Sequence, residues 1–528
     1  MPITRSRLGR FTFLLSVFVF ALGLLAAPAL ASKAYTLNYK AGTFSVIDTA
    51  TNQVVGTPVE VGSGPYSNAI TPNGKFMYVA NRNDEDVVIV DLQTGQVVGS
   101  PIPLGGFPGV LAVSPDGTTV YVTNETSEEV DVISTQTNQL VAPSIPLGGE
   151  PWGVAFAPDG KTAYVTDMTN ETVHVIDTQT KQVVGTPIPV GETPISISFT
   201  PNGAFAYVTN EGSNNVSVID TQTRQVVATI PVGEEPWEVA ISPNGAKAYV
   251  TNYESDSVSV IDTQTKQVVG TPIPTGEEPY EVAFTPDGKA AYVTNYGGQS
   301  VTVIDAQTNQ VKATIPVEGG PWQIAITPDQ SPVASFTVGA ATAGKAVSFN
   351  GSASSDPDGL ISSFSWSFGD GKTATSTTSS VSHKYTKAKT YSPTLAVTDN
   401  EGCSGSLVFT GRTAYCNSGA GTASQTVRVK APNNFKFGKL TKNPGNGTAK
   451  LKVKVPYAGK LSLSGKTVHS AKLKAGKAKT LTLKIKPKAK LKKKLASAHS
   501  AKTKIRVKFS PTGGKARTKG KSLTLILR

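Results

Sequence analysis

Histidine and cysteine are nearly absent from this 528-residue chain, which holds four of the first and two of the second. So few imidazoles and thiols leave little material for a His-based metal centre, a Ser-His-Asp triad or a Cys/His zinc cluster. Nucleophile elbows and phosphate-cradling glycine loops are missing as well. His174 is the one histidine between residues 33 and 329; in the alternating segment Val173-His174-Val175-Ile176 it reads as a structural strand residue. Beyond residue 31 no stretch is apolar enough to cross a membrane as a helix.

The one long apolar run, Phe11 to Ala27, follows Arg5, Arg7 and Arg10 and precedes Ala29-Leu30-Ala31. Charge, a short apolar core and a small-residue exit describe a signal peptide over residues 1–31, cleaved after Ala31. A retained anchor is the alternative, but it needs about 20 apolar residues. The expected location is extracellular, secreted or at the cell surface. In that oxidising space Cys403 and Cys416 are expected to form a disulfide, the alternative being two buried thiols.

Negative charge is also unevenly missing. Residues 433–528 carry 28 Lys and Arg and no Asp or Glu, whereas residues 33–329 carry 11 Lys and Arg against 32 Asp and Glu. The net charge of +13 therefore describes an acidic body with a basic tail. A nucleic-acid partner is not expected, because of export and because the tail lacks interleaved aromatics for base stacking. Cell-wall or other anionic envelope polymers need only charge density; a solubilising face without a partner is the competing reading.

What is abundant is repetition. Tyr35, Tyr78, Tyr121, Tyr164, Tyr207, Tyr249 and Tyr292 recur at intervals of 43 or 42 residues. Each opens a block such as Tyr249-Val250-Thr251-Asn252. An alternating run follows, then a Thr-Gln-Thr turn, a Gln-Val-Val run, a Gly-Glu-Glu-Pro corner and a further apolar run. Four short strands per unit of this length describe a blade that cannot bury both faces alone, and seven of them make an all-β, seven-bladed β-propeller. The first copy lacks its leading strand and the last has one to spare, Pro321 to Ile326. The two chain ends are therefore expected to share one blade.

Tyr121-Val122-Thr123-Asn124 and the matching blocks at 207, 249 and 292 resemble the YVTN-family β-propellers, found in surface-layer and secreted proteins of bacteria and archaea. The likeness covers residues 32–329. After Asp329 the repeat stops. The run Trp366-Ser367-Phe368-Gly369-Asp370-Gly371 and the segment Leu395 to Asn400 resemble a PKD domain, an immunoglobulin-like β-sandwich, over residues 330–432. The likeness departs near 401–420, where an insertion carries both cysteines. Residues 433–528 alternate Lys with apolar residues, as in Lys450-Leu451-Lys452-Val453, and read as a basic β-sandwich-like domain, with Lys488 to Lys494 a loop or short helix.

No catalytic residue is assigned from the sequence. The corners entering the innermost strands carry Tyr66, Glu150, Trp152, Glu235, Trp237, Glu278, Tyr280 and Trp322, and these are the ligand-binding candidates for a sugar, peptide or protein. The competing reading is that the rings fill space between blades and the acids solvate loops. No cofactor is expected. Asp356, Asp358 and Asp370 could take Ca²⁺, although Asp-Pro-Asp-Gly and Gly-Asp-Gly are also plain turn sequences. A non-enzymatic binding, adhesion or structural protein is the leading expectation. Its rival is a lactonase-like metal-dependent hydrolase, which would need a metal cluster of Glu, Asn and Asp around the axis; the acids present recur with the repeat instead of standing out as one asymmetric constellation.

Overall fold

The computed structural model describes residues 32–400, 406–417 and 421–528. Seven four-layered antiparallel sheets stand around one axis and form the propeller. In a typical blade the inner strand Pro236–Ile241 pairs with Lys247–Asn252, which pairs with Ser257–Asp262, which pairs with the short outer runs Gln267–Val268 and Ile273–Pro274. No helix occurs among the described residues of the repeat region.

Three letters of the repeated Tyr-Val-Thr-Asn block each have a separate physical task. The tyrosines are buried, and three of them pack at an angle on a phenylalanine of the next blade: Tyr121 on Phe156 with ring centroids 4.7 Å apart, Tyr164 on Phe199 at 5.0 Å and Tyr249 on Phe284 at 4.8 Å. The hydroxyls of Tyr78, Tyr207, Tyr249 and Tyr292 donate into the turn after the third strand of a neighbouring blade, as Tyr78 does to Asn138 Oδ1 at 2.8 Å. The threonines bridge blades at the axial side: Thr251 Oγ1 accepts from Glu238 N at 3.0 Å and donates to Tyr280 O at 2.7 Å. The asparagines are fully buried and tie the second strand to the third, as in Asn252 Nδ2 to Ser259 Oγ at 3.0 Å. One blade substitutes Asp167 for the asparagine, and there His174 takes the partner's place, with Nε2 3.1 Å from Asp167 Oδ2. The lone propeller histidine is thus accounted for structurally.

The ring closes as the repeat count requires. Pro321–Ile326 is the inner strand of the blade whose other strands are Lys33–Asn38, Thr43–Asp48 and Gln53–Glu60. It pairs antiparallel with Lys33–Asn38, Ala34 opposite Ile326 and Thr36 opposite Ile324. This splice joins residues nearly 300 positions apart.

Residues beyond the propeller form two further β-sandwiches. The first packs Trp366 against Phe336 and Phe349, at 5.3 and 5.7 Å between ring centroids. Between its strands Thr394–Asp399 and Thr422–Ser424 the chain leaves the sandwich and makes a small hairpin, Val408–Phe409 with Ala414–Cys416. The second places a three-stranded sheet over a four-stranded one, with the helix Ala489–Ala498 at the side resting on Leu491 and Leu495. Two sequence expectations, the leader over 1–31 and the Cys403 half of a disulfide, lie outside the described residues.

Candidate functional site

The innermost strands begin at one end of the axis, and their second residues decide what that end is made of. Read blade by blade these are Trp322, Tyr66, Gly109, Trp152, Ile195, Trp237 and Tyr280. Five rings out of seven positions are enough to meet across the axis. Tyr280 and Trp322 lie 3.8 Å apart by ring centroids, Tyr66 and Trp322 5.0 Å, Trp237 and Tyr280 4.9 Å, and Trp152 and Trp237 6.3 Å edge to face. The threonine bridges hold them in place, because Thr123, Thr209, Thr251 and Thr294 each donate to the backbone carbonyl of a cluster residue at 2.7 Å. The candidate aromatics are therefore one packed cluster, not separate platforms, and its three tryptophans remain partly exposed.

A second circle of residues surrounds the rings. It comes from the position immediately after each Tyr-Val-Thr-Asn block: Tyr39, Arg82, Glu125, Met168, Glu211, Tyr253 and Tyr296. Tyr39, Tyr253 and Tyr296 extend the aromatic cluster. Where Gly109 leaves a gap, Arg82 and Glu125 fill it as a two-pronged ion pair, the guanidinium lying over Tyr66 at 5.1 Å and Trp152 at 5.6 Å. None of these was singled out in the sequence, although aligning the seven copies in columns displays them.

The acidic candidates divide. Glu150 accepts from Thr169 Oγ1 at 3.1 Å, a loop contact. Glu235 holds a left-handed backbone with φ 50°, its amide donating to Asn214 Oδ1 at 2.8 Å. Partial burial and then the charges of Glu254 and Glu234 push its carboxyl above the ordinary range. Glu211 is raised too, by burial first and then by Glu235. Glu278 sits beside the Tyr253 hydroxyl. Glu211, Glu235 and Glu278 thus rim the aromatic cluster, and Glu150 stands apart in its loop.

Below the rings the axis is not empty. The third residues of the inner strands run Gln323, Ser67, Val110, Gly153, Ser196, Glu238 and Glu281, so the large polar ones stand together on one side. This corrects the expectation that acids merely recur with the repeat. Into the space opposite reaches Arg412, from the hairpin of the following domain. Its Nη2 lies 2.7 Å from Glu238 Oε1 and 2.5 Å from Glu281 Oε1, all three side chains being nearly buried. Backbone bonds seat the hairpin on the far ends of three inner strands: Val113 N donates to Arg412 O at 3.1 Å, Phe156 N to Gly411 O at 2.8 Å and Phe199 N to Thr410 O at 2.6 Å. Gly411 has φ 147°, and a Cβ there would stand 2.9 Å from Ala155 Cβ, so only glycine fits. Phe409 and Ala414 complete the apolar core between two blades. The axial channel is thus sealed at one end by rings and at the other by a plug. Two small cavities remain, both lined in part by Glu238, Glu281 and Arg412: one of about 20 Å³ directly beneath the rings, with room for about one water, and one of about 60 Å³ beside the plug.

Burial raises the Glu281 carboxyl well above its ordinary value of 4.5, Glu238 adds to the rise and Arg412 opposes it. Glu238 is raised by burial in the same way, again against Arg412. A carboxyl raised in the folded state contributes stability that is complete below about pH 4.5 and is lost as pH rises through the folded value. In Glu281→Gln the decline in melting temperature above pH 4.5 is expected to flatten; an unchanged profile would assign the decline to other groups.

A divalent ion does not fit this pair, because the guanidinium already supplies the positive charge both carboxylates face. Among the described residues no three His, Cys, Asp or Glu side chains are grouped to hold a metal. The three Ca²⁺ candidates also separate. Asp358 Oδ2 accepts from Gln330 N at 2.9 Å and Asp356 lies beside it, whereas Asp370 pairs with His383 Nε2 at 2.9 Å.

Residues 30–142 and 150–320, more than half of the chain, match the family model described as lactonase, seven-bladed β-propeller, and residues 329–413 match the PKD domain. This overturns the expectation that the chain is not an enzyme, since the family it matches is named for an enzymatic activity. A putative 6-phosphogluconolactonase from Bacteroides uniformis superposes with TM-score 0.50 at 18% identity, covering 56% of this chain and 99% of that one. A functionally unknown protein from Desulfotomaculum acetoxidans gives the same TM-score at 16% identity, covering 56% of this chain and 99% of that one. At these identities both show the fold alone. Among curated proteins, a microbial collagenase of Vibrio alginolyticus is 36% identical over 90 residues, 17% of this chain and 11% of its own. The pre-pro-metalloprotease PrtV of Vibrio cholerae is 41% identical over 80 residues, 15% of this chain and 7% of its own. The chain spans about a tenth of the length of these relatives.

Proposed function

The chain belongs to the family of seven-bladed lactonase β-propellers, and from that premise we propose that it works at the aromatic end of the propeller axis, on a ring-shaped polyol or sugar-acid lactone. The observation that carries this reading is the convergence of Tyr66, Trp152, Trp237, Tyr280 and Trp322 into one cluster rimmed by carboxylates. Sugar-like rings rest their apolar face on aromatic rings while their hydroxyls donate to carboxylates, which Glu211, Glu235 and Glu278 offer. The plug behind the rings supports the same end, because it fills the other approach to the axis. An extracellular or surface location accords with the leader-like N-terminus and with the likeness of the PKD domain to stretches of a microbial collagenase and of a pre-pro-metalloprotease. In that setting a Cys403–Cys416 disulfide is expected, contributing about 3 kcal/mol.

Hydrolysis of a bound lactone is the second reading, favoured by the family match. An attacking water needs a base within hydrogen-bond reach, and a carboxyl with a raised pKa suits that role. Glu211, half-buried beside the rings, is the residue of choice. The test is a calorimetric titration with δ-gluconolactone and gluconate, run beside a lactone-hydrolysis assay. The joint substitution Trp237→Ala with Trp322→Ala is expected to weaken binding at least tenfold, the loss typical of a buried aromatic contact. Unchanged affinity would refute the site. Loss of turnover in Glu211→Gln with binding retained would establish the second reading.

A further inference from the structure

The strand Ser500–Pro511 is twelve residues long and alternates without interruption. Ala501, Thr503, Ile505, Val507 and Phe509 face the core, and Lys502, Lys504, Arg506 and Lys508 face out. A two-residue step in a strand is about 6.8 Å, so these four cations form a row of even pitch along the strand. Its flanks are small and hydroxylated. Opposite the row on one side stand Thr524, Ser522, Gly520 and Thr518, and on the other Ser464 faces Arg506 and Ser462 faces Lys508. Further cations, Lys460 directly opposite Lys474, lie just beyond.

We propose that this row is a rail for a linear phosphodiester polymer. This sharpens the expectation that residues 433–528 contact anionic envelope polymers and does not depend on what the propeller binds. Three observations carry it. Like charges at strand spacing repel, and directly opposed like charges destabilise a sheet, yet residues 433–528 contain no acid to relieve them. Among the described residues no ion pair involves this domain. A solubilising surface could mix signs and avoid that cost. The hydroxyls beside the row supply donors for phosphate oxygens, and Gly520 leaves room over Arg506, nothing but Ile505 O coming within 4 Å of a Cβ placed there. The outward positions of the row and its flanks hold no aromatic side chain, so nucleobases would find no stacking partner there.

The full chain should be titrated with poly(glycerol phosphate) across a range of salt concentrations. The rail variant combines Lys502→Gln, Lys504→Gln, Arg506→Gln and Lys508→Gln. A control with the same charge change, on the other sheet's outer face, combines Lys450→Gln, Lys452→Gln, Lys454→Gln and Lys484→Gln. The wild-type chain and the control are expected to bind with similar salt dependence, and the rail variant to lose a slope of roughly 3 in log K against log salt. Equal losses in both variants would overturn the proposal, as would absent binding by the wild-type chain. Binding of oligothymidylate or anionic vesicles as tight as that of the polymer would overturn it as well.

Discussion

Replacing Arg412 with alanine is expected to lower the stability of the propeller by about 3–5 kcal/mol, the penalty for leaving buried carboxylates without their partner. Glu238 and Glu281 stand close together on one side of the axis and meet in one guanidinium. With Arg412 gone, one of them must hold a proton or admit water into the channel. Arg412→Lys keeps the charge but loses the fork that reaches both acids, and should recover only part of the loss. Arg412→Met, which restores volume without charge, should recover less. Calorimetry of the three variants separates these cases. Equal melting of Arg412→Ala and the parent would show that the plug does not bear on the propeller at all.

Deleting residues 321–329 is the second large effect. The segment supplies the inner strand of the first blade and buries Ile324 and Ile326 between blades. Two such side chains account for about 3–6 kcal/mol of burial, before the strand pairing and the ring closure are counted. A typical domain has only about 5–15 kcal/mol in total. The deleted chain is therefore expected to lose its cooperative thermal transition. Removing a few residues from the exposed connection at 270–272 in a blade's outer edge should instead shift melting by a few degrees at most. Comparable melting of the two deletions would mean that the ring does not depend on its splice.

The repeat made most of the propeller readable from the sequence, since the Tyr, Thr and Asn of the Tyr-Val-Thr-Asn block meet neighbours in the next strand or blade. The aromatic corners were readable for the same reason. Three parts were not. Arg412 lies where the resemblance to the PKD pattern lapses, and nothing local signals that an arginine between Gly411 and Thr413 will enter another domain's axis. Glu238, Glu281 and Gln323 occupy one column of the repeat and differ from Ser67, Val110, Gly153 and Ser196 in the same column. That asymmetry becomes visible only when the copies are compared position by position, since it departs from the repeat itself. Arg82 and Glu125 follow the same logic, as an ion pair filling the place where Gly109 breaks the circle of rings.

The most direct test of the plugged axis is hydrogen exchange of the full chain, followed by mass spectrometry of peptides covering 406–417 and the inner-strand ends at Phe156 and Phe199. If the hairpin is seated as described, its amides and its partners exchange as slowly as the blades' second strands, and Arg412→Ala accelerates both sets together. Exchange of 406–417 at the rate of an exposed loop, with Phe156 and Phe199 unaffected by the substitution, would contradict the account.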